Sequence, residues 1–289
     1  MNIPESELVL NPDGSVYHLH LKPEDIANTV ITVGDPARVA KVSAHFDSIR
    51  FKNTKREFVT HTGTYKGKEI TVISTGIGTD NIDIVLTELD ALVNIDLHNR
   101  TAKTTHTSLD IIRIGTCGGL QEDVPLDSLV VSAHAIGFDN FVYFYEHKGR
   151  FNTDLSKTFM KASKWASPLS DPYAVSANST LLEKFTEVGF LPGITVTNVG
   201  FYGPQGRTLR IPLAQPELNT AMKNFSFQGN RILNLEMETA GIYAMADLLG
   251  HNALSLNVIL ANRELGTFSK DPGAAVDRLI TTALNELVK

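Results

Sequence analysis

The chain contains 289 residues, of which 42% are hydrophobic and 20% are charged, and its formal net charge is −6. This composition predicts a folded globular protein with one domain over residues 1–289 and argues against a disordered chain. The acidic balance argues against broad binding to nucleic acid or membrane surfaces, and no apolar run approaches the roughly 20 residues that span a bilayer.

Short apolar runs rich in β-branched residues alternate along the chain with longer patterns of helical periodicity. The runs predict buried strands at residues 29–33, 70–74, 110–114, 128–133, 194–199 and 253–260. The helical patterns cover residues 35–46, 79–95, 237–250 and 270–289. An Asp-Pro pair opens the first and the last of these helices, as N-cap and first helical residue. The alternation predicts an α/β fold around a mainly parallel or mixed sheet.

Two segments interrupt this alternation and are predicted to be peripheral. Residues 97–109 are polar and predict an excursion at the surface. Residues 138–154 are rich in aromatic and charged side chains. A lid, a hairpin and a subunit contact all remain open for this second segment, and the lid alternative extends over residues 138–170.

Three of the apolar runs end in glycine-containing turns, at residues 32–38, 74–81 and 113–119. In α/β sheets, ligands bind at the carboxyl ends of strands. Glycine there lets backbone N–H groups approach an anion, and a following helix adds its dipole. Because most turns between strand and helix carry a glycine, each turn alone is weak evidence for a site.

Arginines strengthen the case for an anion site. Arg113 lies inside the apolar run 110–114, and a buried guanidinium without an anionic partner is very costly. Arg38 lies one turn into the helix that follows the first glycine turn. Together they predict a phosphate or carboxylate site near the strand ends. An internal glutamate as the partner of Arg113 remains the alternative.

Glu236 and Glu238 flank Met237 at the entrance to an otherwise apolar helix. The helix dipole stabilises a carboxylate at that position. Their spacing sends the two side chains in different directions, so that one can cap the helix while the other faces a cleft and accepts from sugar hydroxyls.

A second unusual stretch is the loop GFYGPQGR at 200–207, which carries an aromatic ring, an amide and a guanidinium that a plain turn does not need.

Other candidate chemistry is weaker. His18 and His20 alternate like strand residues and point the same way, but no third ligand supports a metal site. Cys117 lies in a tight loop and is predicted to be a small buried residue rather than a nucleophile. Cys117 is the only cysteine, and the first residues of the chain lack a signal-peptide pattern. Both observations favour a reducing, cytoplasmic setting. Asn81 stands where a dinucleotide fingerprint needs its third glycine.

The motifs GDPARV, REF, STGIG, RIGTCGG, FYGPQGR, EMET and NR occur in the order seen in the nucleoside phosphorylase superfamily. Over residues 17–289 the chain resembles the uridine phosphorylase branch of that superfamily. The resemblance implies a three-layer α/β/α fold around a mixed, partly barrel-like sheet. It also implies phosphorolysis of uridine to uracil and ribose 1-phosphate, with inorganic phosphate as co-substrate and neither a cofactor nor a metal.

The resemblance further implies roles for individual residues. It implies a phosphate site of Gly34, Arg38, Arg113, Thr116 and Arg56, the last donated by a neighbouring subunit. It implies a ribose site of Glu236, Met237, Glu238 and His18, the last reaching across the subunit interface with Tyr17 beside it. It implies a base site of Phe201, Gln205 and Arg207, with Arg263 behind it. Arg113, Glu238 and Arg207 are the residues expected to act in the reaction.

Departures from the family pattern leave alternatives. Asn262 stands where the purine branch has an aspartate, which argues against purine nucleosides as the main substrates. Deoxyuridine, thymidine and, less favoured, a purine nucleoside remain as alternative substrates. A catalytically silent nucleoside-binding protein remains as an alternative function. Asn81 stands near the place of a serine that helps bind potassium in bacterial hexameric enzymes, which argues against that ion. The shared site implies a homodimer or a homohexamer.

Overall fold

The computed structural model describes residues 2–166 and 169–289 of the chain. Its strands are β1 (Thr29–Val33), β2 (Ser48–Lys55), β3 (Phe58–Tyr65), β4 (Lys68–Ser74), β5 (Ile95–Asp96), β6 (Thr101–Ala102), β7 (Asp110–Gly119), β8 (Leu129–Gly137), β9 (Tyr173–Ser176), β10 (Leu191–Thr197), β11 (Ser226–Phe227), β12 (Asn230–Glu236), β13 (Asn252–Asn262) and β14 (Thr267–Phe268). Its α-helices are α1 (Pro36–Ser43), α2 (Thr79–Asn94), α3 (Thr153–Ser163), α4 (Ser179–Glu187), α5 (Leu218–Lys223), α6 (Thr239–Leu249) and α7 (Pro272–Leu287).

A mixed sheet runs through the molecule in the order β11-β12-β10-β8-β13-β7-β1-β4-β3-β2, with β9 on β8 and β14 on β13. The far end of β7 also pairs antiparallel with β12, through Gly119 opposite Asn234 and Gly118 opposite Leu235. This extra pairing closes β12, β10, β8, β13 and β7 into a ring of five strands. The predicted mixed, partly barrel-like sheet is therefore confirmed.

Helices cover both faces of the sheet. On one face α2 and α6 share a core that includes Ile82, Leu86 and Ile242. On the other face α1, α4 and α7 contribute Val39, Phe185 and Leu279 to a second core. Each of these side chains is removed from water, which supplies the main favourable free energy of folding. The resulting three layers are those predicted.

The predicted helix starts agree with the structure. The Asp35 carboxylate accepts from the N–H of Ala37, and the Asp271 carboxylate accepts from the N–H of Ala274. Both pairs satisfy an N–H group that has no partner within the helix. Helix α6 ends where Gly250 adopts a φ of +80°, a conformation that suits glycine. The first helix is shorter than predicted and ends at Ser43 rather than at residue 46.

The prediction of a glycine turn at residues 113–119 is wrong, because β7 continues through all of them to Gly119. Glycine is needed here because there is no space for a side chain, and not because the chain turns. A Cβ atom on Gly115 would lie 1.8 Å from Nη1 of Arg113 and 2.6 Å from Oδ1 of Asn257. The extended strand is held by β13 along its length and by β12 at its end.

The predicted strand through His18 and His20 is also wrong. Residues 17–19 form a turn, and His20 has a φ of +55°. The Glu88 carboxylate of α2 accepts from the backbone N–H groups of His18 and Leu19 and bends the chain onto that helix. The two imidazoles therefore have different partners, Glu88 for His18 and Asp13 for His20.

The two peripheral segments take different forms. Residues 97–109 contain the short strand β6, which pairs with β5, and most of them are exposed as predicted. Within 138–154 the chain forms a 3₁₀ helix at Phe141–Phe144 and then enters α3, so the hairpin alternative is wrong. The lid and subunit-contact alternatives stay open, and a lid extending to residue 170 includes residues 167–168, which lie outside the described ranges.

Among the described residues, the search for a helix both long and apolar enough to cross a membrane found none.

Candidate active site

A cleft of about 780 Å³ opens at the carboxyl ends of β1, β4, β7, β12 and β13. It collects most of the site residues predicted from the sequence, although they come from distant parts of the chain. The predicted residues that line it are Gly34, Arg38, Arg113, Thr116, Phe201, Gln205, Arg207, Glu236, Met237 and Glu238. His18 and Arg56 do not line it.

One corner of the cleft, called the anion corner below, contains Gly34, Arg38, Arg113 and Thr116 and has features that suit a bound anion. The loops after β1 and β4 come together there, and a Cβ on Gly34 would lie 3.3 Å from the carbonyl oxygen of Gly76. Arg38 donates from Nη1 to the Ile114 carbonyl at 3.3 Å. Within residues 2–166 and 169–289 it has no carboxylate at ion-pair distance. Burial, followed by the charge of Arg113, lowers the Arg38 pKa, so a bound anion would relieve this guanidinium.

Arg113 has the internal partners that the sequence left as an alternative. Its Nη2 lies 2.6 Å from Oε2 of Glu238 and 3.2 Å from Oε2 of Glu236, and its Nη1 donates to Oδ1 of Asn257 at 2.6 Å. Burial of Arg113 opposes its charge, but the two glutamates outweigh that effect and raise its pKa. With Arg38, the corner holds two guanidinium groups and two carboxylates, and so carries little net charge before a ligand binds.

The two glutamates divide their work as their spacing predicts. Glu236 accepts from the Thr197 hydroxyl at Oε1, and from the N–H groups of Glu238 and Thr239 at Oε2. It therefore caps α6. Glu238 accepts from the Gly78 N–H at Oε1 and from Arg113 at Oε2. Since a carboxylate offers about four acceptor positions, each oxygen of Glu238 keeps room for one further donor.

The Glu238 carboxyl is buried, and this burial is the largest influence on its pKa. Burial raises the pKa, the charge of Glu236 adds to the rise, and Arg113 opposes both. The ion pair with Arg113 is what keeps a carboxylate tolerable at this depth. Glu238 therefore presents a hydrogen-bond acceptor to the cleft from a fixed position.

The loop after β10 brings its three unusual side chains together. Cζ of Arg207 lies 3.7 Å from the centroid of the Phe201 ring, and Nη1 of Arg207 donates to Oε1 of Gln205 at 2.6 Å. Phe201 is 51% exposed, whereas Gln205 is buried. Burial, followed by the charge of Arg263, lowers the Arg207 pKa. The loop thus offers an aromatic surface, an amide N–H₂ donor and a cation side by side.

The end of β13 supports this loop from behind. Arg263 donates from Nη1 to the Gln205 backbone carbonyl at 3.0 Å, and its stem lies near Gly118. The Asn262 side chain is buried and faces the opposite way. Its Nδ2 donates to the Gln121 and Val124 carbonyls, and its Oδ1 accepts from two N–H groups of the following turn. The Asn262 amide therefore organises the turn and does not reach into the cleft.

Several lining residues carry no signal in the sequence. Of these, Glu57 could most easily have been found from the sequence, because it follows Arg56 in the REF motif. Its carboxylate accepts from Nδ2 of Asn81 at 3.2 Å. The others are mainly apolar side chains that any strand end could carry. They are Ile77, Leu235, Leu260, Ala261 and Phe268.

The two predicted residues outside the cleft are both at the surface of the chain. His18 holds Glu88 through Nδ1 at 2.7 Å, and its side chain is 33% exposed. Arg56 is exposed at the turn between β2 and β3, with a φ of +54°. The resemblance to the uridine phosphorylase branch assigns both residues to a site on a neighbouring subunit, and this assignment stays a prediction.

A cluster of possible metal ligands lies elsewhere, where Asp90, His106 and His251 have ligand atoms within 4.8 Å of one another. Nδ1 of His251 accepts from the Leu109 N–H at 3.2 Å, so the ring proton of neutral His251 belongs on Nε2, which faces Asp90. A metal on Nε2 would need that proton on Nδ1 instead. The cluster is better explained as packing between α2, the 97–109 segment and the start of β13.

Comparison with known proteins agrees with the fold and the cleft. Residues 28–285 match the family model described as the phosphorylase superfamily. The uridine phosphorylase of Thermococcus kodakarensis is 30% identical over 266 residues, which cover 89% of this chain and 81% of that protein. A DeoD-type purine nucleoside phosphorylase of Bacillus cereus is 26% identical over 275 residues, covering 94% of this chain and 98% of the relative.

Solved structures agree as well. A Trypanosoma brucei nucleoside phosphorylase described as showing uridine phosphorylase activity superposes with a TM-score of 0.88 at 32% identity, covering 97% of this chain and 99% of that chain. A uridine phosphorylase of Phytophthora capsici shares the fold, with a TM-score of 0.74 at 21% identity over 100% of this chain and 99% of the other. On the family match, the sequence identity and the shared fold, the chain belongs to the phosphorylase superfamily.

Proposed function

We propose that the chain catalyses the reversible phosphorolysis of uridine to uracil and ribose 1-phosphate, a pentosyl transfer to phosphate. The observation that carries the proposal is one cleft that combines an anion corner, a fixed carboxylate and a loop with an aromatic ring, an amide and a guanidinium. The 30% identical relative is a uridine phosphorylase, and the 32% identical structure has uridine phosphorylase activity. Both support uridine as the substrate.

Inorganic phosphate is assigned to the corner formed by Gly34, Arg38, Arg113 and Thr116. Arg38 supplies a cation that has no carboxylate at ion-pair distance in the part of the chain that the structure describes, and the glycine loops let N–H groups approach the oxygens. Because the two glutamates already balance the two arginines, a phosphate dianion needs a further cation. Arg56 of a neighbouring subunit fills that need in the proposal. Held in this way, phosphate attacks the sugar carbon as the glycosidic bond breaks.

The ribose is assigned to Glu238 and Met237, with His18 of a neighbouring subunit. Each Glu238 oxygen keeps one acceptor position, which matches two adjacent sugar hydroxyls. Breaking the glycosidic bond builds positive charge on the sugar, and a nearby carboxylate stabilises that charge. Glu236, the other residue expected at the ribose, accepts three hydrogen bonds inside the protein and contributes by holding the helix start and Arg113.

The base is assigned to Phe201, Gln205 and Arg207. The ring of Phe201 offers a stacking surface for uracil, and the Gln205 amide can pair with an adjacent carbonyl and N–H of the base. Uracil departs with negative charge, and Arg207 stabilises it through a hydrogen bond to a ring carbonyl. Donors of this kind contribute about 3 kcal/mol to transition-state stabilisation.

Other substrates and functions remain as alternatives within the proposal. Purine nucleosides are disfavoured because the Asn262 amide is committed to the turn and supplies no proton to a departing purine. Deoxyuridine and thymidine share the uracil-like edge and remain open. A silent nucleoside-binding protein would have no use for Arg38 in the anion corner. We also assign the enzyme to the cytoplasm, as a homodimer or homohexamer with shared sites.

Phosphate-dependent release of free base tests the proposal. Uridine, deoxyuridine, thymidine, inosine and adenosine are each incubated with the enzyme, with and without phosphate. Uridine should release uracil only with phosphate, and Arg38→Met should raise the KM for phosphate while the unrelated surface variant Arg278→Met should not. Base release from purine nucleosides alone, or release without phosphate, would contradict the proposal.

A further inference from the structure

The loop at residues 200–207, which carries the side chains assigned to the base, is held to the rest of the protein through one carbonyl group. The backbone N–H groups of residues 205–207 all donate to carbonyls inside the loop. Among the described residues, two side chains from outside the loop donate to it, and both donate to the Gln205 carbonyl. Arg263 donates from Nη1 at 3.0 Å and Asn219 donates from Nδ2 at 3.2 Å. These two side chains therefore hold the backbone that carries the Gln205 amide.

Asn219 lies on α5 and is half-buried against the loop. Gly206, the residue after Gln205, has a φ of +71°, and a Cβ on it would lie 2.3 Å from Nδ2 of Asn219. The Asn219 amide thus packs directly on the peptide group between Gln205 and Gly206. A carbonyl oxygen accepts and cannot donate, so the Asn219 amide turns its Nδ2 toward Gln205 and its Oδ1 away.

This orientation leaves Oδ1 of Asn219 buried, and the atom has no hydrogen-bond partner within residues 2–166 and 169–289. A buried acceptor without a partner costs free energy, because it gives up its hydrogen bonds to water. A leucine has a similar shape and would avoid that cost. The asparagine at this position therefore indicates a need for its donor, and that donor is directed at the Gln205 carbonyl.

The two donors to the Gln205 carbonyl share a support. Gln121, which is buried, donates from Nε2 to the Lys223 carbonyl at the end of α5, at 3.0 Å. Its own backbone carbonyl accepts from Nδ2 of Asn262 at 3.0 Å. Gln121 therefore ties α5 to the end of β13, where Arg263 follows Asn262. This link keeps the two elements that carry the donors at a fixed separation.

We propose that Asn219 is a positioning residue for the reaction. Together with Arg263, its amide holds the Gln205 backbone so that the Gln205 side chain meets the carbonyl and N–H edge of uracil. Asn219 does not line the cleft and acts through Gln205. The inference rests on the proposed phosphorolysis, because Gln205 is assigned there to the base.

Asn219→Leu removes the donor and keeps a similar shape. It should lower kcat/KM for uridine about 10-fold, because the Gln205 amide is displaced from the base. The KM for phosphate should stay within about twofold of wild type, because the anion corner is untouched. The melting temperature should fall by no more than about 2 °C, since the change also removes a buried oxygen without a partner. Asn224→Leu, at an exposed asparagine that ends the same helix, is the matched control and should change none of these quantities.

A double-mutant cycle separates positioning of Gln205 from a general structural role. Gln205→Met removes the amide on which Asn219 is proposed to act. Adding Asn219→Leu to that variant should lower kcat/KM for uridine by less than about twofold further. A further 10-fold loss would show that Asn219 supports the loop as a whole and would overturn the inference.

The substrate gives an independent test of the same step. In 3-methyluridine a methyl group replaces the N–H with which the Gln205 amide pairs. Asn219→Leu should therefore leave kcat/KM for 3-methyluridine within about twofold, and the preference for uridine over 3-methyluridine should fall about 10-fold. Asn219→Asp places a carboxylate oxygen against the Gln205 carbonyl and should reproduce the loss. It decides the test if Asn219→Leu does not fold.

The failures of the two proposals are distinguishable. With an active wild type, full activity of the Asn219 variants, or equal losses toward uridine and 3-methyluridine, would overturn the inference and leave the proposed function in place. A wild type that releases no uracil from uridine would overturn the proposed function and the inference with it.

Discussion

At the scale of single residues, the number of free acceptor positions on each carboxylate determines which of the two glutamates can bind a ligand in the cleft. Glu236 and Glu238 are two residues apart, both are buried, and both contact Arg113. Yet Glu236 accepts from a hydroxyl and two N–H groups of the protein, whereas Glu238 accepts from one N–H and from Arg113. The first is committed to structure and the second is available to a ligand.

This difference predicts opposite effects of the same change at the two positions. Glu236→Gln should lower the free energy of unfolding by about 2 kcal/mol, because buried donors lose a charged acceptor. Glu238→Gln should lower stability less and kcat/KM for uridine more. Urea unfolding and steady-state kinetics on both variants measure this. If Glu238→Gln proved the less active but also the less stable variant, the assignment of the capping role to Glu236 would be wrong.

Arg207 offers a second test at this scale. Arg207→Ala should lower kcat/KM for uridine by about 10²- to 10³-fold, since a donor to the departing base is lost where its charge develops. The KM for phosphate should change by no more than about twofold, because Arg207 lies in the loop after β10 and not in the anion corner. Arg210→Ala, an exposed neighbour in the same loop, serves as the control. Equal losses in uridine and phosphate parameters would show that Arg207 is wrongly assigned.

At the scale of elements, the helix starts at Asp-Pro pairs were predictable and the glycine-rich strand β7 was not. An Asp-Pro pair followed by a helical pattern predicts a helix start, and Asp35 and Asp271 both begin helices. A glycine has several uses. The sequence predicted a turn at residues 113–119, but these residues belong to strand β7, where glycine leaves room for the Arg113 guanidinium. Strand β12 was missed because its Asn234 and Glu236 look exposed in sequence, while both are buried and hydrogen-bonded in the structure.

The space beside Arg113 predicts a large effect of one methyl group on β7. Gly115→Ala would bring a Cβ within 1.8 Å of Nη1 of Arg113, so the ion pairs must shift, at a loss of about 1–3 kcal/mol or more in the free energy of unfolding. Gly118→Ala on the same strand meets Arg263 at an ordinary 3.6 Å and should change stability by less than about 0.5 kcal/mol. Urea denaturation compares the two, and equal stabilities would contradict the packing argument.

At the scale of the whole molecule, closure of the sheet brings the site together. The pairing of β7 with β12 sets Arg113 against Glu236 and Glu238, which are more than a hundred residues later in the chain. Charged residues in apolar runs could be predicted as site residues, because burying a charge is costly unless a partner or a ligand compensates it. Lining residues such as Ile77 and Leu260 were not, since an apolar side chain at a strand end has the same sequence signal whether it faces a ligand or a core.

Charge balance across the cleft leads to a prediction about assembly. The two carboxylates of Glu236 and Glu238 equal the two guanidinium groups of Arg38 and Arg113 in charge, although both carboxylates pair with Arg113. A phosphate dianion therefore needs another cation, and Arg56 is exposed outside the cleft of its own chain. If Arg56 serves the neighbouring subunit, Arg56→Ala and Arg38→Ala each inactivate every site of their own assemblies. A mixed pair contains one site with both lesions and one with neither.

Refolding or co-expressing these two variants together should therefore restore activity. Random assortment makes about half of the pairs mixed, each with one intact site of two, so about a quarter of wild-type activity should return. Mixing Arg38→Ala with Arg207→Ala is the control: both residues line the cleft of their own chain, every site keeps one lesion, and activity should stay lost. Recovery in the control, or none in the test mixture of a confirmed oligomer, would mean that Arg56 does not complete the phosphate site of a second subunit.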